Sequence, residues 1–138
     1  MIARQLDDRT REVCPACGWV YYEQVKVGAG ALVEKDGQLL LVQRAIDPWM
    51  HCWYLPAGFV EVDEEPRKTA ERETFEETGL EVSAGELKDV IFFDDDPRGN
   101  GVLIVYKCQL LGGSLKTSPE SLGSGFFPWQ DLPTPIAG

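Results

Sequence analysis

The sequence predicts an α/β protein in which one helix packs against a mixed β-sheet. Two features indicate this class: apolar, β-branched stretches lie on both sides of a single helical segment, and turns rich in glycine or proline separate them. Along the chain the order is strand, strand, helix, strand, strand, and then a loop-rich end. The 138 residues are the length of one domain.

Two strands are predicted ahead of the helix. Residues 25–34 change from aromatic and β-branched to small and apolar, which indicates a strand. Asp36-Gly37 is a hairpin signal. Residues 39–45 are apolar enough for a strand that is buried on both faces. A loop with two prolines follows and ends at Gly58.

The helix is predicted to begin at Pro66, since proline suits the first helical turn. Glu64 and Glu65 just before it favour the positive end of the helix. The helix should end at about Thr78, because Gly79 is a natural stop.

Two more strands and an extended piece are predicted after the helix. One strand is expected near 87–93 and a long apolar strand over 102–111. A Gly/Ser-rich loop over 112–125 then leads to a short strand or extended piece over 126–132.

A single helix covers only one face of such a sheet, and the other face should need a helix as well. The chain ends eight residues after Gln130, which is too early for a full C-terminal helix. That helix is therefore expected to be short or missing. A neighbouring subunit is the expected cover, which predicts a homodimer.

The N-terminal part is expected to be a separate segment, residues 1–22, ahead of a domain over residues 23–138. Residues 1–13 are polar and are expected to be loosely packed. Cys14 and Cys17 lie in the knuckle "CPACG", residues 14–18, and form half of a zinc site or a redox pair.

The composition excludes some classes of function. A net charge of −10 and a pI near 4.5 argue against binding to duplex nucleic acid, although a bound cation would still let an acidic site take an anionic substrate. No apolar run approaches the roughly 20 residues that span a bilayer, and the N-terminus has no signal-peptide pattern. A cytoplasmic protein is expected, with Cys52 and Cys108 as buried thiols.

Four carboxylates fall within residues 71–77, and three of them lie on one helical face. Glu73, Glu76 and Glu77 have the i, i+3, i+4 spacing that places side chains together. They should repel one another unless a cation lies among them, and Mg²⁺ or Mn²⁺ is the natural occupant of an oxygen site. The alternative is a solvated acidic face without a ligand.

Arg72 is the expected brace of this carboxylate cluster. It stands four residues before Glu76 and is able to reach back toward Glu64. Glu71 is offset from the metal-facing side and is expected to be solvated surface.

The stretch from Gly58 to Leu80, "GFVEVDEEPRKTAERETFEETGL", resembles the Nudix box of the Nudix hydrolase family. The signature is Gly, five residues, Glu, seven residues, then Arg-Glu-aliphatic-any-Glu-Glu-any-Gly-aliphatic. The residues in register are Gly58, Glu64, Arg72, Glu73, Glu76, Glu77, Gly79 and Leu80. Thr74 replaces the aliphatic residue, and its size and β-branching should preserve the packing.

The resemblance covers residues 25–133 and implies an α/β/α sandwich with a mixed sheet and a strand–loop–helix catalytic motif. It implies metal-dependent hydrolysis of the diphosphate bond in a nucleoside diphosphate linked to another moiety. An ADP-ribose-like substrate is favoured. A nucleoside triphosphate or NADH pyrophosphatase and a non-catalytic ligand-sensing module stay open as alternatives.

The resemblance also implies roles for the residues. A divalent ion would neutralise the diphosphate and lower the pKa of a bound water. The implied metal ligands are the carboxylates of Glu73, Glu76 and Glu77 and the carbonyl of Ala57. The implied catalytic residues are Arg72, Glu76, Glu77 and Glu120, with one carboxylate acting as general base.

Residues in and around the box are the candidates for substrate contacts. Gly58 would let the backbone approach metal or phosphate. Trp49, in the loop before the box, is the best candidate for stacking on a nucleobase. Arg44 at a strand end and Arg98 in a turn are candidates to meet phosphate or ribose.

The knuckle resembles the tail of a zinc ribbon that precedes some Nudix domains, including NADH-pyrophosphatase-like ones. Those usually carry another cysteine pair upstream, and none of the thirteen residues before Cys14 is cysteine. The pair Cys14/Cys17 is thus either a remnant or one half of a Zn²⁺ site that another chain completes.

Overall fold

The computed structural model describes residues 1–137, and Gly138, the last residue of the predicted domain, lies outside them. The elements are β1 (Ile2–Leu6), β2 (Arg9–Val13), β3 (Val20–Tyr21), β4 (Lys26–Lys35), β5 (Gln38–Arg44), β6 (Trp53–Tyr54), β7 (Ala57–Phe59), α1 (Pro66–Thr78), β8 (Leu80–Phe93), β9 (Gly101–Gly113) and β10 (Ser121–Pro128).

The strands form two sheets. β1, β2 and β3 make a small N-terminal sheet. The other seven make a larger sheet in the order β10-β5-β4-β9-β8, in which β6 pairs with β5 and β7 pairs with β4. The β4–β9 pair is parallel and the remaining pairs are antiparallel. The predicted α/β class with a mixed sheet is confirmed.

The helix has the bounds that the sequence predicts. Pro66 begins it, and Gly79 ends it in the left-handed conformation at φ 81°. The Gly79 N–H donates to the Phe75 carbonyl oxygen at 2.8 Å and so closes the last turn. The chain then enters β8 at once, at Leu80.

Small side chains let α1 lie close to the large sheet. Ala70 and Thr74 on the helix and Ala29 and Ala31 on β4 are all fully buried. Thr74 satisfies its hydroxyl by donating to the Ala70 carbonyl oxygen at 2.7 Å. Thr74 therefore packs against the sheet as an aliphatic residue at this position of the box would. This packing keeps the helix close to the strands.

β8 is longer than the strand predicted near 87–93. Its first residues alternate between buried and exposed side chains, with Leu80 and Val82 buried and Glu81 and Ser83 exposed. This alternation of period two is the pattern of a half-buried strand. Because Glu81 and Ser83 interrupt the apolar residues, the first half of β8 does not contain the apolar run that indicates a strand.

Residues 1–13 are expected to be loosely packed, and most of their side chains are exposed, but their backbone is regular. Residues 2–6 and 9–13 form an antiparallel hairpin whose outer pair is Ile2 with Val13. Its two turn residues, Asp7 and Asp8, both have positive φ, 46° and 67°. A two-residue turn of this kind usually carries Asn-Gly or Asp-Gly, so Asp-Asp gave no signal in the sequence.

α1 is the single helix within the described residues, as the expectation of a short or missing C-terminal helix implies. It is not long or apolar enough to cross a membrane. The last residues instead return to β6, where the Ala137 N–H donates to the Trp53 carbonyl oxygen at 2.9 Å. Cover by a neighbouring subunit stays a prediction.

Two glycine substitutions should separate backbone strain from steric overlap. Gly37 has φ 76° and open space where a Cβ would lie, whereas a Cβ at Gly79 would overlap the Ser114 carbonyl oxygen. We expect Gly37→Ala to lower the free energy of unfolding by about 1–2 kcal/mol from the left-handed backbone alone. Gly79→Ala should lower it by about 2–5 kcal/mol, because overpacking adds to that strain.

Urea unfolding of the two variants beside the parent chain measures both values. Equal losses for Gly37→Ala and Gly79→Ala would contradict the close approach of the helix end to Ser114.

Candidate active site

The strand β7 brings the first glycine of the box against the helix. β7 pairs with the middle of β4, with Ala57 opposite Gly30, and a Cβ added at Gly30 would lie only 3.0 Å from the Ala57 Cβ. On the other side, a Cβ at Gly58 would overlap the carboxylate of Glu73. Glycine at position 58 therefore leaves the space that the Glu73 carboxylate occupies.

The Arg72 guanidinium joins three carboxylates. Nε and Nη2 donate to the two carboxylate oxygens of Glu64 at 2.7 and 3.0 Å. Nη1 donates to Glu73 Oε1 at 3.0 Å and to both oxygens of Glu76 at 3.2 Å. Arg72 therefore makes the contacts that the spacing predicts for a brace.

Glu64 is held as an anion by this arrangement. The hydrogen bond from Arg72, and then the one from the Thr69 hydroxyl at 2.6 Å, lower the pKa of Glu64 to about 2. The loop before the helix is thereby tied to two turns of the helix through a charge-assisted, bidentate contact.

Glu77 is the most deeply buried carboxylate of the cluster, with 5% of its surface exposed. The Tyr54 hydroxyl donates to Oε1 at 2.7 Å, and the Ala57 N–H donates to Oε2 at 3.2 Å. Burial raises the pKa of Glu77 to about 8, and the charge of Glu73 adds to this, while the two hydrogen bonds act in the opposite direction. The pKa of Tyr54 also lies well above its ordinary value, chiefly because of burial.

Glu73 lies between opposing influences. Burial raises its pKa to about 7, Arg72 lowers it, and the negative charges of Glu76 and Glu120 raise it further. Glu120 therefore lies within electrostatic reach of Glu73, on the loop before β10. The Ala45 N–H, which donates to the Glu120 backbone carbonyl at 3.0 Å, fixes that loop beside the end of β5.

The oxygen atoms around Gly58 fit a hard divalent cation. Within residues 1–137 no three His, Cys, Asp or Glu side chains already converge as a metal-binding group. Glu73 nevertheless fills the space beside the Gly58 backbone, and Glu77 accepts from the N–H of the preceding residue, Ala57. Glu77 is buried and Glu73 is partly buried. Both have raised pKa values, and a cation would favour their ionised forms. Glu76 lies at the rim, half exposed and bonded to Arg72.

Arg44, at the end of β5, borders the site, and Trp49 lies in the loop that follows β5. The Arg44 guanidinium carbon lies 5.3 Å from the centre of the Tyr54 ring, and Nε donates to the Pro48 carbonyl oxygen at 2.6 Å. Its charge lowers the pKa of Glu77, which places it within electrostatic reach of the carboxylates. The Trp49 side chain is 40% exposed, at a residue with φ 67°.

Arg98 also reaches the box, through Phe59. It pairs with Asp96 through Nη2 at 2.8 Å, which keeps the pKa of Asp96 below its ordinary value. Its guanidinium carbon lies 4.8 Å from the centre of the Phe59 ring, and the Lys26 ammonium lies 5.6 Å from the same ring. Two cations therefore flank the residue next to Gly58.

Sequence reasoning missed Tyr54, Phe59 and Lys26. Phe59 could have been suspected from its place beside Gly58. Tyr54 carries a weaker signal, since a buried tyrosine hydroxyl usually needs a hydrogen-bond partner. The identity of that partner, Glu77, lies 23 residues away and depends on the fold.

The expectation that Glu71 is plain solvated surface is wrong. Its Oε2 accepts a hydrogen bond from the Ala84 N–H at 2.8 Å, and Oε1 pairs with Lys68 at 3.3 Å. This contact lies where the β8–β9 register begins to shift, between Ala84 and Leu87. Glu71 therefore ties the helix to β8.

The cysteines lie apart from the carboxylates. Cys14 and Cys17 occupy the turn between β2 and β3 in the small sheet. Cys108 is buried as expected, and burial raises its pKa to about 11. Cys52 is only partly buried, so the expectation of a second fully buried thiol is wrong. It lies in the turn after β5, where its N–H donates to the Trp49 carbonyl oxygen.

Fold and site together define a domain with a strand–loop–helix carboxylate centre bordered by cations. The chain belongs to the Nudix family: the family model described as NUDIX domain matches residues 11–137. A crystal structure of a NUDIX hydrolase from Nitrosomonas europaea superposes with a TM-score of 0.83 at 34% identity, covering 96% of this chain and 74% of that one. The predicted family and fold are confirmed.

Two curated relatives agree with this family. The chain is 36% identical over 113 residues to the ADP-ribose pyrophosphatase of Methanocaldococcus jannaschii, covering 81% of this chain and 67% of that protein. It is 41% identical over 93 residues to a MutT-like protein of Streptomyces ambofaciens, covering 67% of this chain and 56% of that protein. The chain thus spans between about half and two thirds of the length of these relatives.

The raised pKa values of Glu73 and Glu77 predict a pH dependence of stability without metal. Both carboxyls keep their proton to higher pH in the folded chain than at their ordinary value of 4.5. Their contribution to stability is therefore complete below about pH 4.5 and is lost as pH rises through about 7 and 8. The loss should be on the order of 1–3 kcal/mol, mostly from Glu77, since Glu73 is partly screened by solvent.

Urea unfolding in chelator at a series of pH values measures this loss. Glu77→Gln should flatten the profile, because the amide carries no charge; its oxygen is able to accept from the Ala57 N–H while its NH2 group donates to the Tyr54 oxygen. Saturating Mg²⁺ should stabilise the parent chain more at high pH than at low pH. A parent profile that is flat from about pH 5 to pH 8 would contradict burial of these carboxylates.

Proposed function

We propose that the protein is a Mg²⁺- or Mn²⁺-dependent pyrophosphohydrolase acting on a nucleoside diphosphate linked to another moiety, with an ADP-ribose-like substrate. The observation that carries the proposal is the pair of carboxylates at β7: Glu73 lies against the Gly58 backbone, and the buried Glu77 accepts a hydrogen bond from the Ala57 N–H. The relative named as an ADP-ribose pyrophosphatase supports the choice of substrate.

In this proposal the carboxylates bind the metal ion, and hydrogen bonds from Arg72 orient Glu73 and Glu76. The bound ion would supply charge neutralisation at the diphosphate and a water of lowered pKa. Glu73 and Glu77 would be its inner ligands, with Glu76 at the rim. Ala57 contacts Glu77 through its N–H, so it orients that ligand. Arg72 keeps Glu73 and Glu76 directed to one side of the helix.

The proton of the attacking water needs a carboxylate acceptor. Both oxygens of Glu77 already accept hydrogen bonds, from Tyr54 and Ala57. This arrangement suits an oriented ligand better than a base. In this proposal the general base is Glu120 or Glu76, whose negative charges both act on Glu73.

The substrate would enter between the cations and the exposed rings. Arg44 and Arg98 would meet phosphate or ribose oxygens, and the contacts of their guanidinium groups with Tyr54 and Phe59 support this role. Phe59 and Trp49 are each exposed by more than a third, and either ring offers a face for a nucleobase.

The cellular setting of the proposal is the cytoplasm. The four cysteines are free thiols, which is the state that a reducing compartment maintains.

A substrate panel with Glu77→Gln tests the proposal. The parent chain, with Mg²⁺ or Mn²⁺, should release AMP and ribose 5-phosphate from ADP-ribose, and NADH, FAD and nucleoside triphosphates should be poorer substrates. Glu77→Gln should lower kcat at least about 100-fold, since a ligand of the ion is lost. Glu86→Gln is the matched control, because Glu86 is exposed on β8. If the parent chain hydrolyses no compound on the panel, the proposal of an enzyme is refuted. If Glu77→Gln keeps full activity, the assignment of the site is refuted.

Tyr54→Phe tests whether the tyrosine orients the ligand. Removing the hydroxyl leaves Glu77 Oε1 without its 2.7 Å donor. We expect about 10-fold weaker Mn²⁺ affinity, in the range for lost partners of metal ligands. Calorimetric Mn²⁺ titration without substrate is the measurement, and Tyr21→Phe in the small sheet is the control. Equal affinities for Tyr54→Phe and the parent chain would show that the hydroxyl does not orient Glu77.

A further inference from the structure

The knuckle, residues 14–18, is a shaped turn at the tip of the small sheet. The Gly18 N–H donates to the Cys14 carbonyl oxygen at 2.9 Å, and the Cys14 N–H donates to the Trp19 carbonyl oxygen at 2.8 Å. Gly18 takes φ 80°, with open space where a Cβ would lie. Together these contacts fix the backbone that carries Cys14 and Cys17.

Both thiols are accessible. Cys17 is exposed and Cys14 is partly exposed. The thiolate is the form that binds metal, and two residues between the cysteines is the spacing of a structural zinc site.

The knuckle supplies two of the four ligands that a tetrahedral zinc site needs. Across residues 1–137 no third His, Cys, Asp or Glu joins the pair. Cys108 is buried in the core of the large sheet, and Cys52 lies in the turn after β5. A zinc ion at the knuckle would therefore take its other two ligands from outside residues 1–137.

The surface around the knuckle suits a second copy of the same chain. Residues 1–22 contain three arginines and three carboxylates, so their formal net charge is zero, and residues 23–138 carry the whole of the −10. Two copies of this acidic protein would therefore repel least when they meet by their N-terminal tips. Trp19, Tyr21 and Tyr22 follow the knuckle with 58%, 44% and 58% of their surfaces exposed, and this aromatic surface would be covered by such a contact.

We propose that the knuckles of two copies of this chain bind one Zn²⁺ through four thiolates and so link the copies tip to tip. Each of the four thiols releases one proton to solvent as the ion binds, and no group is oxidised or reduced. The site is structural, because four protein ligands leave no open position on the ion. It is independent of the carboxylate centre on α1.

Cobalt replacement with sedimentation tests the proposal on the full chain. The protein is reduced, stripped with chelator and titrated with Co²⁺, whose absorption reports tetrahedral thiolate ligation and is not produced by a carboxylate site. We expect the thiolate bands to saturate at one Co²⁺ per two chains. The sedimenting mass should rise together with them from 15.4 kDa to twice that value. Zn²⁺ should displace Co²⁺ and keep the doubled mass.

Cys14→Ser and Cys17→Ser should each abolish the bands and the doubled mass, and Cys52→Ser should retain both. Urea unfolding shows whether each variant is folded, independently of any activity. Thiolate bands at one ion per chain without a change in mass would overturn the shared site. Absence of thiolate bands, or a Cys14–Cys17 disulfide under mild oxidant as the only response, would overturn the metal site.

Discussion

The guanidinium of Arg72 holds together three carboxylates that would otherwise repel one another, and the site depends on this contact. Glu64 stands before the helix, while Glu73 and Glu76 stand on it, so the same group fixes both the entry loop and the helical face. The bidentate bond with Glu64 uses two edges of the guanidinium and leaves Nη1 for the helix carboxylates. A lysine could not divide its charge in this way, because it lacks the planar fork.

Close backbone approach supplies the second half of the site. Ala29 and Ala31 on β4 and Ala70 on the helix let two elements pack with almost no side-chain volume between them. As a result the buried end of the helix carries Glu77 to the strand β6–β7 region, where a hydroxyl and a backbone N–H meet its two oxygens. These two hydrogen bonds lower the cost of burying the group. Burial nevertheless raises the pKa of Glu77 to about 8, so without a cation the carboxyl keeps its proton at neutral pH, and a cation would favour its ionised form.

Local signals in the sequence were sufficient for the helix and for β4, β5 and β9, but not for the first half of β8. Pro66 and Gly79 act within one turn of the helix ends, so both bounds follow from the chain itself. The contacts of Glu71 with Ala84 and of Glu77 with Tyr54 join distant residues, and no spacing rule encodes them. The hairpin at Asp7 escaped notice for a different reason, since its turn uses a residue pair that seldom takes positive φ.

A crystal structure with Mg²⁺ and a methylene-bridged ADP-ribose analogue tests the central claim most directly, because it locates the ion and the diphosphate together. We expect the ion to bind oxygens of Glu73 and Glu77 and of the diphosphate, with Arg72 still paired to Glu64. An ion bound away from these two glutamates, or an ordered analogue whose diphosphate lies away from Gly58, would contradict it.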